Sequence, residues 1–271
     1  MSNNFYKYCH IISKSQSVAL AFSVVRKNGM EIYQCAVLDF TAREKKGSFE
    51  KRISVKGNTS HEDVFYTSKY CNFSLKNENG GKHLYCKFDT CFSHSCIEAD
   101  ITVSNISEYA HSGKGRTTDF VSAKGYVKTK NGEYEFSPED DFGVFCECVD
   151  FQNISSRYGA CVGFSDGKIL GFCFGSKERA ENRIFYDGKV FPCINAEITL
   201  PKGKITDTWK IQSQNSILKF EFKPSFNDRI DFTSPFFKVH GDRFFGNASG
   251  TLSVENSVIS FDGLTALCER V

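Results

Sequence analysis

The chain has 271 residues, and its 34 basic and 32 acidic side chains leave a formal net charge of +2. Those charges are spread along the sequence without the concentrated basic stripe that phosphate neutralisation requires, so nucleic acid is not an expected partner. No apolar stretch reaches the roughly 20 residues that span a bilayer. Met1-Ser2-Asn3-Asn4-Phe5-Tyr6-Lys7 lacks the charged segment, apolar run and small-residue cleavage site of a secretory signal, and a cytoplasmic location is expected.

Phenylalanine is over-used, with 27 residues beside 11 Tyr and a single Trp. Aromatic side chains suit half-buried pleated surfaces, which predicts strands. The length allows one large all-β domain or two of ordinary size. Twelve cysteines invite a disulfide framework, but without an export signal free thiols are expected.

In chain order, period-two patterning predicts strands at Ser17 to Val25, Glu31 to Phe40, His83 to Phe88, Ile97 to Val103, Gly125 to Lys130, Gly171 to Gly175, Leu218 to Lys223 and Gly250 to Glu255. Leu218-Lys219-Phe220-Glu221-Phe222-Lys223 alternates strictly, the mark of a strand with one wet face. Hairpin signals fall at Asn28-Gly29, Asn79-Gly80, Asn131-Gly132, Asp166-Gly167, Asp187-Gly188 and Asp262-Gly263, because Asn and Asp before Gly tolerate the positive φ of two-residue turns. The topology implied is up-and-down and antiparallel. Ser176 to Asn182 is too short for more than a turn or loop. No glycine-rich phosphate loop follows a strand in dinucleotide-binding context.

Cys86, Cys91 and Cys96, with His83 and His94 nearby, match no zinc-knuckle spacing, so small buried thiols are expected there and no metal. Trp209 reads as core. Ser137-Pro138-Glu139-Asp140-Asp141 interrupts two aromatic strands. This places a boundary between an N-terminal domain, residues 1–138, and a C-terminal domain, residues 139–271, each with enough strands to close or nearly close a barrel.

Three segments carry a resemblance. They are Gly125-Tyr126-Val127-Lys128 followed by Tyr134 to Asp140; Ala180-Glu181-Asn182-Arg183-Ile184-Phe185-Tyr186-Asp187-Gly188-Lys189; and Phe245 to Leu252 with Leu264 to Glu269. In order and spacing they resemble the bacterial domain-of-unknown-function family 2804, chiefly over residues 125–271, with a looser match at Glu98-Ala99-Asp100-Ile101. The resemblance implies an all-β fold of two lipocalin-like antiparallel β-barrel halves packed together. That form is shared with carotenoid hydratases and with natural-product cyclases that enclose hydrophobic substrates. It implies a hydrophobic small molecule as partner and no cofactor. Family members carry an Asp-Trp-Gly-Arg-Gly-like stretch and a tryptophan-rich strand after the acidic segment. This chain instead reads Cys146-Glu147-Cys148-Val149-Asp150 and Ser155-Ser156-Arg157-Tyr158-Gly159.

A barrel that hydrates or cyclises an alkene needs a carboxyl group in an apolar pocket, where desolvation tunes its pKa. Glu147, Asp141 and Glu181 are the candidate catalytic acids. Asn182, Tyr158, Tyr186, Cys146, Cys148 and Arg243 are the candidate ligand contacts. Each has a structural alternative: a solvent-facing strand residue for Glu147, a loop-capping pair for Glu181 and Asn182, packing for the tyrosines, a surface turn for Arg243. His10, His61, His83, His94, His111 and His240 accompany no nucleophile motif, which argues against a Ser-His-Asp hydrolase. Two functions remain: a cofactor-free cyclase, isomerase or hydratase, and a non-catalytic binder of an apolar ligand.

Overall fold

The computed structural model describes residues 4–54, 62–78, 80–89, 96–106, 111–112, 116–149, 157–175, 182–192, 196–234 and 237–270. Among these residues every regular element is a strand, and no helix is long and apolar enough to cross a membrane.

The first sheet contains β1 (Phe5–Ser13), β2 (Val18–Lys27), β3 (Met30–Asp39), β4 (Glu44–Ser54), β5 (Val64–Ser68), β6 (Cys71–Glu78), β7 (Gly81–Phe88), β8 (Ile97–Asn105), β9 (His111–Ser112), β10 (Arg116–Thr129), β11 (Gly132–Phe136) and β12 (Phe142–Val149). Its strand order is β4-β3-β2-β1-β12-β10-β8-β7-β6-β5, with β9 and β11 also pairing β10. The second contains β13 (Arg157–Ser165), β14 (Lys168–Gly175), β15 (Arg183–Tyr186), β16 (Lys189–Pro192), β17 (Ala196–Thr199), β18 (Trp209–Ser213), β19 (Leu218–Ser234), β20 (Phe237–Val254) and β21 (Ser257–Arg270). Its order is β16-β15-β14-β13-β21-β20-β19-β18-β17.

Turn chemistry explains much of this meander. Asn28-Gly29, Asp166-Gly167 and Asp187-Gly188 all take positive φ at both residues, the geometry that matches the twist of tight hairpins. Asp262-Gly263 is a correction, because it lies inside β21 rather than at a hairpin. Ala248 pairs Leu264 and Gly250 pairs Phe261, so the two residues bulge opposite Ser249. Ser249 ties the bulge by bonding Asp262 and accepting the Gly263 N–H at 3.1 Å. The hairpin itself turns at Glu255 and Asn256, both at positive φ.

Two compact units result, residues 1–108 with 119–151 and residues 109–118 with 152–271. The boundary expected at residue 138 is therefore displaced. Ser137 to Asp141 forms a tight turn, with Asp141 N–H donating to Ser137 O at 2.8 Å, and β12 beyond it pairs β1 from Ile12 to Phe5. The physical reason is that β1 is buried at all nine positions. Such a strand needs hydrogen-bonded neighbours on both edges, and β12 provides one of them.

Each sheet curls into a half-barrel around its own aromatic interior. In the first, Phe22 of β2 stacks on Phe73 of β6 at 4.3 Å, and Tyr33 meets the same ring at 5.1 Å, although these strands lie far apart in the sheet order. In the second, Phe172 of β14 meets Phe220 of β19 at 4.9 Å. Trp209 is core, edge-on to Phe222 and Phe244, with its indole N–H donating to Ile205 O at 2.7 Å.

Candidate functional site

Strand alternation decides what faces the interior of the first unit. Phe5, Cys9 and Ile11 of β1 and Phe145 of β12 belong to its core, so Lys7 and Glu147 share that inner face. They are direct register partners, and Lys7 Nζ donates to Glu147 Oε1 at 2.9 Å. The Lys7 side chain is 3% exposed and the Glu147 side chain 23%, so the pair is closed on one side and open on the other. Lys7 also donates to the backbone carbonyl of Glu62 at 3.3 Å.

A second buried charge cluster stands beside it. Arg26 and Glu31 face each other across the β2–β3 hairpin. The guanidinium donates to Glu31 Oε1, and the Tyr33 hydroxyl donates to Glu31 Oε2. Burial, then the hydrogen bond to Glu31 and its negative charge, push the Tyr33 phenol well above its ordinary range. Phe5 links the two clusters, with Lys7 Nζ 5.9 Å and the Arg26 guanidinium 5.0 Å from its ring centre. A buried charge is tolerated only when paired and hydrogen-bonded, and each charge here is paired. On β6 and β7 the same inner-face alternation reaches Asn77 and Lys82, and Lys82 lies 5.1 Å over the Phe145 ring. Lys7, Arg26, Glu31, Asn77, Lys82 and Glu147 thus form a polar rim over aromatic rings at one end of the first half-barrel.

Of the expected site residues whose side chains are described, Glu147 alone reaches this rim. Cys146 and Cys148 flank it in sequence, but they point to the opposite face, beside Tyr8 and Tyr6 in register, where both are buried. Asp141 sits just before β12, six residues from Glu147 and so about 20 Å away along an extended strand. Its carboxylate accepts the Ser137 N–H at 2.8 Å and fastens the turn there. Burial raises its pKa, partly offset by that bond and by one to Ser13.

In the second unit Arg243 is not on a surface turn. It is 2% exposed on β20, on the face opposite core residue Phe244, with Asp228 of β19 at 3.9 Å. The register runs from Asp228 to Arg243, to Glu269 on β21, to Tyr158 on β13 and to Gly175 on β14. Asn182, buried, precedes Arg183, which pairs Cys173 close to that row. Arg243, Tyr158 and Asn182 therefore gather at one end of the second sheet. Tyr186 is half-buried against the core, with Lys168 over its ring. Glu181 lies outside the described residues.

Cys91 and His94 also lie outside them. Cys86 faces the core, in hydrogen-bonding reach of Cys35. Among the described residues no group of three or more His, Cys, Asp or Glu side chains is disposed to hold a metal ion. Sequence reasoning missed Lys7, Arg26, Glu31 and Tyr33. A signal existed, because Lys7 takes a core-facing position of an apolar strand and Arg26 and Glu31 flank the Asn28-Gly29 turn symmetrically.

The sequence pattern of the family described as a domain of unknown function (DUF2804) matches residues 3–271, and the chain belongs to that family. No functionally curated protein matches it. Among solved structures, kievitone hydratase from Nectria haematococca superposes with a TM-score of 0.63 at 10% identity, over 98% of this chain and 88% of that one. CghA, solved with Sch210972, gives 0.63 at 9% identity over 99% and 88%. A protein named as an AttH from Nitrosomonas europaea gives 0.55 at 8% identity over 98% and 91%. These likenesses establish the shared fold.

Proposed function

We propose that this member of the DUF2804 family encloses a hydrophobic small molecule in its first unit and adds water to it without a cofactor, using Glu147 and Lys7 as a proton-transfer pair. The observation that carries the reading is the 2.9 Å contact between a buried ammonium and a partly accessible carboxylate on the inner face of the half-barrel. The fold shared with a hydratase supports it by analogy.

The chemistry follows from the two charges. Glu147, as carboxylate, takes a proton from water while the water oxygen bonds to one alkene carbon. Lys7, as ammonium, gives a proton to the other carbon. The proton left on Glu147 then returns to the Lys7 amine across their contact, which restores the pair. One water is consumed, and one C–O and one C–H bond form. The Arg26–Glu31–Tyr33 cluster fixes the Phe5 ring beside Lys7, so the donors are oriented before substrate arrives.

Incubating the chain with an apolar extract of its source cells tests this by mass spectrometry. Wild type should consume a compound and yield one heavier by a single water. Glu147→Gln and Lys7→Met should retain the compound in native spectra without converting it. Undiminished product from Glu147→Gln would overturn the assignment. The second reading, a non-catalytic binder, is favoured by the rings packed beneath the rim, such as Phe22 on Phe73. It predicts that all three proteins hold the ligand unchanged.

A further inference from the structure

We infer that the ligand of this site carries a carboxylate and that Lys82 is the residue that recognises it; this rests on the reading of the first unit as a small-molecule site. Among the described residues the rim holds three cations, and two are already matched. Lys7 has Glu147 and the Glu62 carbonyl, and Arg26 has Glu31. Lys82 differs, since its ammonium meets the Asn77 amide oxygen and the Phe145 ring, both neutral. Among the described residues no carboxylate lies within ion-pairing distance of it.

Its placement is directed rather than incidental. Leu84 and Cys86, the next inner-face positions of β7, are fully buried in the core, so alternation aims Lys82 along that same interior wall. There it is half-buried over Phe145, which is two residues from Glu147 on the same face of β12. An ordinary surface lysine would extend its charge into water. This one lies 5.1 Å over the Phe145 ring, two residues from Glu147 on the same face of β12.

The buried Phe145 ring, a cation without an anion and the Lys7–Glu147 pair thus lie within one short span, where Lys82 and Glu147 are the partly accessible members. The matching chemistry is an amphipathic molecule with an unsaturated apolar body and a terminal carboxylate. The carboxylate accepts from Lys82 while the body enters against Phe145 by displacing the packing that buries that ring. A charge-assisted hydrogen bond in partly desolvated surroundings fixes the end of the molecule and so decides which carbon faces Glu147.

Fluorescence titration with cis-parinaric acid and its methyl ester tests this on the full chain. These probes share one unsaturated body and differ only at the head group. Wild type should bind the acid about tenfold more tightly than the ester. Lys82→Met should lose that preference, and Lys82→Arg should restore it, with circular dichroism confirming an intact fold. Equal binding of acid and ester by wild type, or a preference that survives Lys82→Met, overturns the role of Lys82 while leaving the apolar site standing. If neither probe binds, the small-molecule reading fails together with this inference.

Discussion

Lys7 and Glu147 are register partners on neighbouring strands, joined at 2.9 Å, yet the lysine is shut away from solvent and the glutamate is not. That asymmetry makes the two residues unequal when either is removed. Glu147→Leu strands a buried ammonium and should cost about 3 kcal/mol. Lys7→Met leaves a carboxylate that still reaches water and should cost about 1 kcal/mol. The double variant should recover most of the larger loss, which urea denaturation followed by circular dichroism would measure. Equal losses from the two single variants would show that the lysine is not held by this partner.

Asp141 gives a pH test. Burial raises its folded pKa above the unfolded value, so the folded state binds the proton more tightly. The stability this provides is complete below the unfolded pKa of about 3.9 and is lost as pH rises through the higher folded value. Asp141→Asn keeps an oxygen for the Ser137 N–H without the charge. Thermal melts should therefore show the variant gaining on wild type as pH rises from acid to neutral. A constant difference would argue against the burial penalty.

Gly159 reports on packing in the second unit. A Cβ there would lie 2.1 Å from the Phe174 ring, and that ring is itself held against Phe172 and Phe220. Gly159→Ala should destabilise by about 1–3 kcal/mol. Combining it with Phe174→Leu should cost less than the sum of the separate changes in a denaturation cycle. Strict additivity would mean that the two do not touch.

The fold was largely legible because turn chemistry and alternation are local. Asn28-Gly29 and Asp187-Gly188 specify their hairpins from two residues, and Leu218 to Phe222 announces its own buried face. The division at Pro138 was misplaced because the partner of β12 lies more than a hundred residues earlier, and no local pattern reveals that pairing. The same limit hid the pairing of Lys7 with Glu147. Glu147 stood out between two cysteines, but period two puts those thiols on the other face, and its partner across the strands is Lys7. Asp262-Gly263 shows the converse, a correct turn dipeptide that a long-range register uses as a bulge.

The cysteines should separate by exposure. Cys96 is partly exposed, while the other nine described thiols are buried. Burial and the neighbouring Cys86 push Cys71 up to about 12, and burial with Cys268 and Cys173 raises Cys161 well above its ordinary range. Brief iodoacetamide treatment at neutral pH should label Cys96 first among these ten, as read by peptide mass mapping, because the thiolate is the reactive species. Early labelling of Cys71 or Cys161 would contradict the closed interiors.

The most direct measurement is a crystal structure of the Glu147→Gln protein purified from its source with ligand retained. Ligand density in the first unit, in contact with residue 147 and Lys7 and resting on Phe5 or Phe145, is the expected result. A ligand bound elsewhere, with Lys7 and residue 147 touching only each other and solvent, would contradict the assignment of the rim as the site of chemistry.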